Sequence, residues 1–325
     1  MAQTVLGVRA GTFTRNGTPV FLYGMSYYGA LGATEEVFAQ DLAELHRWGV
    51  GWLRVWATWA AFDHDVSAVD GRDGSPREPF LSRLAWLVQE CDRRGLIVDI
   101  TISRGNGVTG PPRLQTLEAH RRAVETLLER LGPYRNWYLD LANERNIPDR
   151  RFVSIAELAE LRALVRQRDP QRLVTASHAG DLSREDVRAY VQTVHVDLVC
   201  PHRPRTPESP AQTAARAQEV RAWLAELGRG VPLHYQEPFR RGFRPQRWEP
   251  PAEAFVTDLA QARAGGAAGW CFHNGHQSDR PDGRPRRSFD LRDGPLATQL
   301  DAVERAALEE IVRRGLHRPD PGGDR

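Results

Sequence analysis

Two glutamates stand where short apolar runs end. Leu141-Ala-Asn-Glu-Arg145 closes one such run and His234-Tyr-Gln-Glu-Pro238 another, which sets Glu144 and Glu237 93 positions apart at matching places. Two carboxylates that flank a substrate can divide the cleavage of a glycosidic bond: one protonates the leaving oxygen while the other attacks the anomeric carbon. Either glutamate alone has an ordinary structural use, as a helix cap or a partner for a nearby arginine. The pair, with Asn143 directly before the first, fits the chemical use better.

Such a pair works only if the chain brings its members together, so the elements around them matter. An Asn16-Gly17 hairpin signal comes first. Short apolar strands then alternate with helical patterns to the end. Strands are expected over 19–25, 51–56, 96–102, 137–142, 172–177, 196–200, 231–236 and 267–272. Helices are expected over 35–48, 81–94, 117–131, 155–168, 184–192, 210–227, 252–264 and 296–314. Gly49, Gly95 and Gly132 stand at the stops of the first three helices. Eight strands, each followed by a helix, predict an α/β fold of the (β/α)8 barrel type, a single domain over 1–316 with an N-terminal hairpin and a flexible tail over 317–325. An open doubly wound sheet would want a Gly-rich phosphate turn after its first strand, where this chain has Gly24-Met-Ser-Tyr-Tyr-Gly29. In a barrel, Glu144 follows strand four and Glu237 follows strand seven, so both belong at the mouth. The long segments after strands two (58–79) and eight (273–295) belong to the same end.

On Asn143-Glu144 and Glu237 the chain resembles the clan A retaining glycoside hydrolases, in the style of family 5, the cellulases and mannanases, as an outlying branch. The resemblance spans about Thr12 to Arg314. It implies that Glu144 is the acid/base, Glu237 the nucleophile and Asn143 the ligand of the sugar 2-hydroxyl. It also implies that Arg54 hydrogen-bonds the nucleophile, that His202 lines the cleft and that Trp270 forms the platform under the sugar. Read from the residues alone, Arg54 can be an interior ion pair, His202 a structural histidine and Trp270 core. The chain departs from the family at Pro204, where a tyrosine usually steadies the nucleophile, and at Ser103-Arg104-Gly105-Asn106, where a histidine is usual. Tyr28 and Tyr235 are the candidates for a substitute hydroxyl. The implied mechanism asks for a raised pKa on Glu144 and a low one on Glu237, with Arg54 helping to separate them.

Composition narrows the alternatives. The 325 residues carry 44 basic and 42 acidic side chains, a formal net charge of +2, which argues against an electrostatic grip on nucleic acid. All the basic residues are arginine, so no Schiff-base or phosphate-loop lysine is available. Cys91, Cys200 and Cys271 are too widely spaced for a zinc knuckle or a disulfide framework and read as buried thiols. His273 and His276 lack the further ligands a metal would need, so no metal or organic cofactor is expected. No apolar run is long enough for a membrane span, and 1–16 holds none of signal-peptide length. The expectation is a cytoplasmic protein, or a secreted one if a leader was removed, acting on an oligo- or polysaccharide. Trp56, Trp59, Phe62, Phe239, Phe243 and Trp248 are candidates for stacking sugar rings, with core packing as their other use. Arg104, Arg240 and Arg241 hint at an acidic group on the substrate. The rival reading is a catalytically silent barrel that binds carbohydrate.

Overall fold

The computed structural model describes residues 2–60, 64–102, 111–147, 151–242, 248–274 and 289–318. The chain opens with an antiparallel meander: β1 (Leu6–Arg9), β2 (Thr12–Arg15) and β3 (Thr18–Val20). Both of its turns put two successive residues at positive φ, Ala10-Gly11 at 51° and 77° and Asn16-Gly17 at 52° and 81°. That twist matches the strands it joins. The Asn16-Gly17 hairpin follows from the sequence; the Ala10-Gly11 turn adds a third strand that the sequence reading lacked.

The barrel strands and helices then alternate. β4 (Leu22–Ser26), α1 (Glu35–Arg47), β5 (Trp52–Trp56), α2 (Phe80–Arg93), β6 (Ile97–Thr101), α3 (Leu117–Leu131), β7 (Trp137–Asp140) and α4 (Ile155–Arg168) make the first half. β8 (Val174–Thr175), β9 (His178–Ala179), α5 (Arg184–Arg188), β10 (Pro201–His202), α6 (Ser209–Glu226), β11 (His234–Tyr235), α7 (Ala252–Ala264) and β12 (Gly269–Phe272) follow, then α8 (Leu296–Gln299) and α9 (Ala302–Arg313). Seven strands run parallel in the order β11-β12-β4-β5-β6-β7-β8. The remaining gap closes through β9 and β10, which pair in parallel, and through a parallel bridge between Val199 and Leu233. The ring is a (β/α)8 barrel.

Barrel strands five to seven are shorter than their apolar runs suggest, because side chains replace part of the ladder. Asp197 accepts from the Val174 amide at 2.9 Å, and Thr175 donates its hydroxyl to the Leu198 carbonyl at 2.9 Å. Within the expected 196–200, strand six is joined to its neighbours only by single backbone bonds and the Val199–Leu233 bridge, and its continuous pairing is at Pro201–His202. The last helix, expected over 296–314, is two helices. Asp301 caps the second by accepting from Val303 and Glu304 at 2.8 Å each, and its own amide donates to the Glu304 carboxylate.

Alternation along each strand decides which residues face the barrel interior. The bottom is filled by Trp52, Tyr138, His234 and Cys271 and closed from below by Phe13 of β2, all buried. Phe13 meets His234 edge-on at 5.6 Å and stacks on Tyr138 at 6.4 Å. Gly24 and Gly269 make room for these rings: a Cβ on Gly24 would lie 2.4 Å from the Trp52 ring, and one on Gly269 2.7 Å from His234. All three cysteines are buried free thiols, as expected. Among the described residues, no helix is long and apolar enough to cross a membrane.

Candidate active site

The same alternation that packs the bottom sends Arg54, Asp99, Thr101 and Asp140 upward into the barrel, all fully buried. Arg54, third residue of β5, is the hub. Its Nε donates to Thr101 Oγ1 at 3.0 Å and lies 3.3 Å from Asp99. Its Nη2 donates to Asp140 Oδ2 at 3.0 Å and Asn143 Oδ1 at 2.9 Å, and its Nη1 to Glu237 Oε1 at 2.5 Å and His202 Nε2 at 3.2 Å. One guanidinium with five N–H groups, carried on strand two, thus orients residues from strands three, four, six and seven. The interior ion pair and the contact to Glu237 are the same side chain.

The segment after β7 is pinned on both sides: the Asn143 amide donates to Ile102 O at 2.9 Å and the Arg145 amide to Ser177 O at 3.1 Å. Between them Glu144 adopts φ 45°, with its amide on Ser177 Oγ at 3.0 Å. The left-handed region costs a residue with a Cβ about 1–2 kcal/mol, and the flanking ladder bonds hold it there. The strain turns the carboxylate toward His202, which donates from Nδ1 to Glu144 Oε1 at 3.1 Å. The proton must be on Nδ1, since Nε2 faces an Arg54 N–H and can only accept.

Glu237 is held by three side chains from different parts of the barrel. Oε1 accepts from Tyr28 Oη at 2.6 Å and from Arg54, and Oε2 accepts from Arg205 Nη2 at 3.0 Å. His202 Nδ1 and His273 Nε2 stand 3.7 and 3.6 Å from Oε2. Burial pushes the Glu237 carboxyl up, but the N–H of His202, the charge of Arg54, the N–H of His273 and the charge of Arg205 outweigh it and hold it well below the usual carboxylate range. For Glu144, burial likewise raises, and the hydrogen bond and field of His202 outweigh it with help from Arg205, against the charge of Glu237. Its carboxyl therefore lies below its ordinary value. That corrects the expectation of a raised Glu144: the order of the two acids is as expected, but the His202 hydrogen bond lowers Glu144 as well.

Potential ligand atoms of Glu144, His202 and Glu237 lie within 4.8 Å of one another. The set does not fit a cation. The histidine nitrogen facing both carboxylates carries a proton, and two guanidiniums already hold Glu237.

The structure brings Glu144, Glu237, Arg54, Asn143, His202 and Tyr28 together. Of the two tyrosines weighed as a substitute for the residue missing at Pro204, Tyr28 reaches the nucleophile position, while Tyr235 lies on the outer face of β11 beneath Arg203. Trp270 is not in the site. It is fully buried on the outer face of β12, stacks on Tyr23 at 6.2 Å and donates its indole N–H to Asp258 of α7 at 2.7 Å. This corrects the platform role. Interior positions on β12 are Gly269 and Cys271, so the next inward residue is His273, and Trp270 falls on the other face.

Trp56 and Trp59 are buried around Tyr28, with ring centroids 5.1 and 5.0 Å from it. Phe239 packs among Trp248 and Phe255. Arg240 is buried with its field felt at Tyr28 and His273, whereas Arg241 holds Asp301 at 2.6 Å, away from the site. Phe62, Phe243, Arg104 with its neighbours 103–106, and His276 lie outside the described residues.

Arg205 and His273 are the site residues that the sequence reading lacked. Arg205 directly follows Pro204, read there only as the loss of a tyrosine. His273 was legible through period-2 alternation on strand eight.

No family model matches the chain, and no curated protein matches its sequence. Solved structures do. A glycoside hydrolase family 5 mannosidase from Rhizomucor miehei superposes with a TM-score of 0.66 at 14% identity, over 97% of this chain and 98% of its own. The fold is that of the family 5 glycoside hydrolases. A hyperthermostable endo-1,4-β-D-mannanase from Thermotoga petrophila gives 0.58 at 15% identity, over 88% of this chain and 99% of its own. A β-glucuronidase from an uncultured Clostridium gives 0.60 at 14% identity, over 95% of this chain and 53% of its own. The barrel is shared by enzymes that differ in sugar.

Proposed function

We propose that this chain is a retaining glycoside hydrolase that cleaves β-linked sugars by double displacement, with Glu237 as nucleophile and Glu144 as acid/base. The observation that carries the reading is the placement of two carboxylates, Glu144 half-buried and Glu237 buried, at the ends of strands four and seven, with facing atoms inside 4.8 Å. Carboxyl groups about 5–5.5 Å apart leave no room for a water between an acid and an attacked carbon, as inversion would need about 6.5–9.5 Å.

Each group has a task. Glu237 Oε1 is anchored by Tyr28 and Arg54, so Oε2, with its single hydrogen bond from Arg205, keeps lone-pair capacity for attack on the anomeric carbon. Glu144, in its protonated form, gives its proton to the departing oxygen. Glu237 is then an ester, and Glu144, now ionised, takes a proton from the water that attacks the same carbon and frees Glu237. Asn143, held on Arg54, stands beside Glu144 to meet the 2-hydroxyl. No step calls for a metal or an organic cofactor.

A β-mannoside or β-glucoside is the favoured substrate. The nearby structures that are named as a mannosidase and a mannanase support the first. The silent-barrel alternative drew its force from Pro204, and the Tyr28 hydroxyl on Glu237 removes that support. The test is hydrolysis of a panel of aryl β-glycosides and β-linked polysaccharides by the parent, Glu237→Ala and Glu144→Ala. Turnover that disappears in Glu237→Ala supports the proposal. Sugar binding with no turnover across the panel overturns it.

A further inference from the structure

Strand eight ends in a histidine whose outer nitrogen meets no hydrogen-bond partner among the described residues. His273 is 1% exposed, and its Nε2 has no hydrogen-bond partner among the described residues. Leaving a buried polar group unsatisfied costs about 1–3 kcal/mol, so such an atom in a site asks what pairs with it. It is aimed at the reacting centre, 3.6 Å from Glu237 Oε2.

The neighbours fix which nitrogen carries the proton. Nδ1 lies 2.8 Å from Ser26 Oγ and 3.3 Å from Tyr28 Oη. The Tyr28 proton is committed to Glu237. A proton on Nδ1 would leave the Nε2 lone pair facing an anionic oxygen, which is repulsive; a proton on Nε2 reverses the sign. Ser26 then donates to Nδ1, and the Cys271 thiol, 3.4 Å from Ser26 Oγ and kept protonated by burial, donates to Ser26 in turn. Burial likewise holds the imidazole well below its usual range, although the charge of Glu237 opposes it, so the ring is neutral. Asn274 Nδ2 ties down the Ser26 carbonyl. Cys271, Ser26 and His273 form a chain of donors that ends in a free N–H facing the nucleophile.

We propose that His273 Nε2–H donates to a hydroxyl of the sugar that Glu237 attacks, and that this directed hydrogen bond stands where the resemblance places an aromatic platform. His273 is thereby a specificity-determining residue: a sugar with a hydroxyl at that place satisfies the buried donor, and one without it leaves the donor orphaned. The inference rests on the glycosidase reading above.

The test pairs protein and substrate changes. Values of kcat/KM are measured for the parent, His273→Phe and His273→Gln on the aryl β-glycoside the parent prefers and on its four monodeoxy analogues. Binding of the inert thiophenyl glycosides of the same five sugars is followed by calorimetry. Expected is a loss of about 10-fold on the full sugar in His273→Phe, partial recovery in His273→Gln, and one deoxy analogue on which parent and His273→Phe are equal. Overturning results are an unchanged His273→Phe, or an equal loss on all five sugars, which is what a packing defect gives. A parent that hydrolyses no glycoside overturns the proposed function, and the thioglycoside affinities then decide His273 alone. A parent that binds none of the five overturns both.

Discussion

Glu237 is held by three hydrogen bonds from three different parts of the barrel, and each makes a separable contribution. Tyr28→Phe removes the 2.6 Å donor from Oε1 and leaves Arg54 in place. The expected result is a fall in kcat/KM of about 10–100-fold, while Tyr235→Phe, on the outer face, stays within about 3-fold. Steady-state kinetics on one aryl glycoside checks both. His202 sets the other acid. Glu144 must carry a proton to serve as acid, so kcat/KM falls as pH rises through its pKa, which His202 holds below the ordinary value. His202→Gln removes the larger of the influences that lower it and leaves burial and the Glu237 charge, which raise it, against Arg205 alone. The high-pH limb is therefore expected to move to higher pH in a kcat/KM profile, and a limb that stays or moves down contradicts the assignment. At this scale the sequence showed the carboxylate pair, because position after a strand is enough to find it, and Arg54 through the family resemblance. It did not show that Arg205 would take over beside Pro204, since a loop side chain's reach depends on packing that no local pattern encodes.

At the scale of elements, two strands carry most of the argument. β12 has two faces, and its tryptophan serves the helix layer: Trp270 binds Asp258, whose second partner is Thr213 of α6. Trp270→Phe keeps an aromatic ring but leaves Asp258 short of a donor in a buried place. It is expected to cost about 1–3 kcal/mol in denaturant unfolding with kcat/KM within about 3-fold, whereas a platform residue would lose activity first. β2 plugs the barrel from below, and Phe13→Ala opens a cavity between Tyr138 and His234. The expected cost is about 3–5 kcal/mol, read from the same unfolding curve, with the mouth chemistry intact in the folded fraction. Helices α3, α4 and α7 begin and end where their periodicity and stops place them. The short strands five and six were less legible, because the Asp197 and Thr175 side chains take up part of the bonding between them and a hydrophobic run cannot reveal that.

For the whole molecule, a closed barrel explains why residues from four other strands meet on the Arg54 guanidinium although they are spread from Asp99 to Glu237. Strand count and alternation with helices made that architecture readable from the sequence, and closure follows from the strands' number and twist. The meander below is attached through Phe13 and through the Leu6 amide on Arg135 O at 2.9 Å. The near balance of charge leaves the strong field to the interior, where arginines converge on two glutamates. The central claim is that Glu237 forms a covalent bond to the sugar. Its most direct test is incubation with an aryl 2-deoxy-2-fluoro-β-glycoside bearing a good leaving group, in the sugar configuration the protein hydrolyses, followed by mass spectrometry of the intact chain and its peptides. The predicted result is a mass gain of one fluorosugar, carried by the peptide containing Glu237 and absent in Glu237→Gln. A chain that hydrolyses the parent glycoside yet gains no mass, or carries the sugar on another residue, contradicts it.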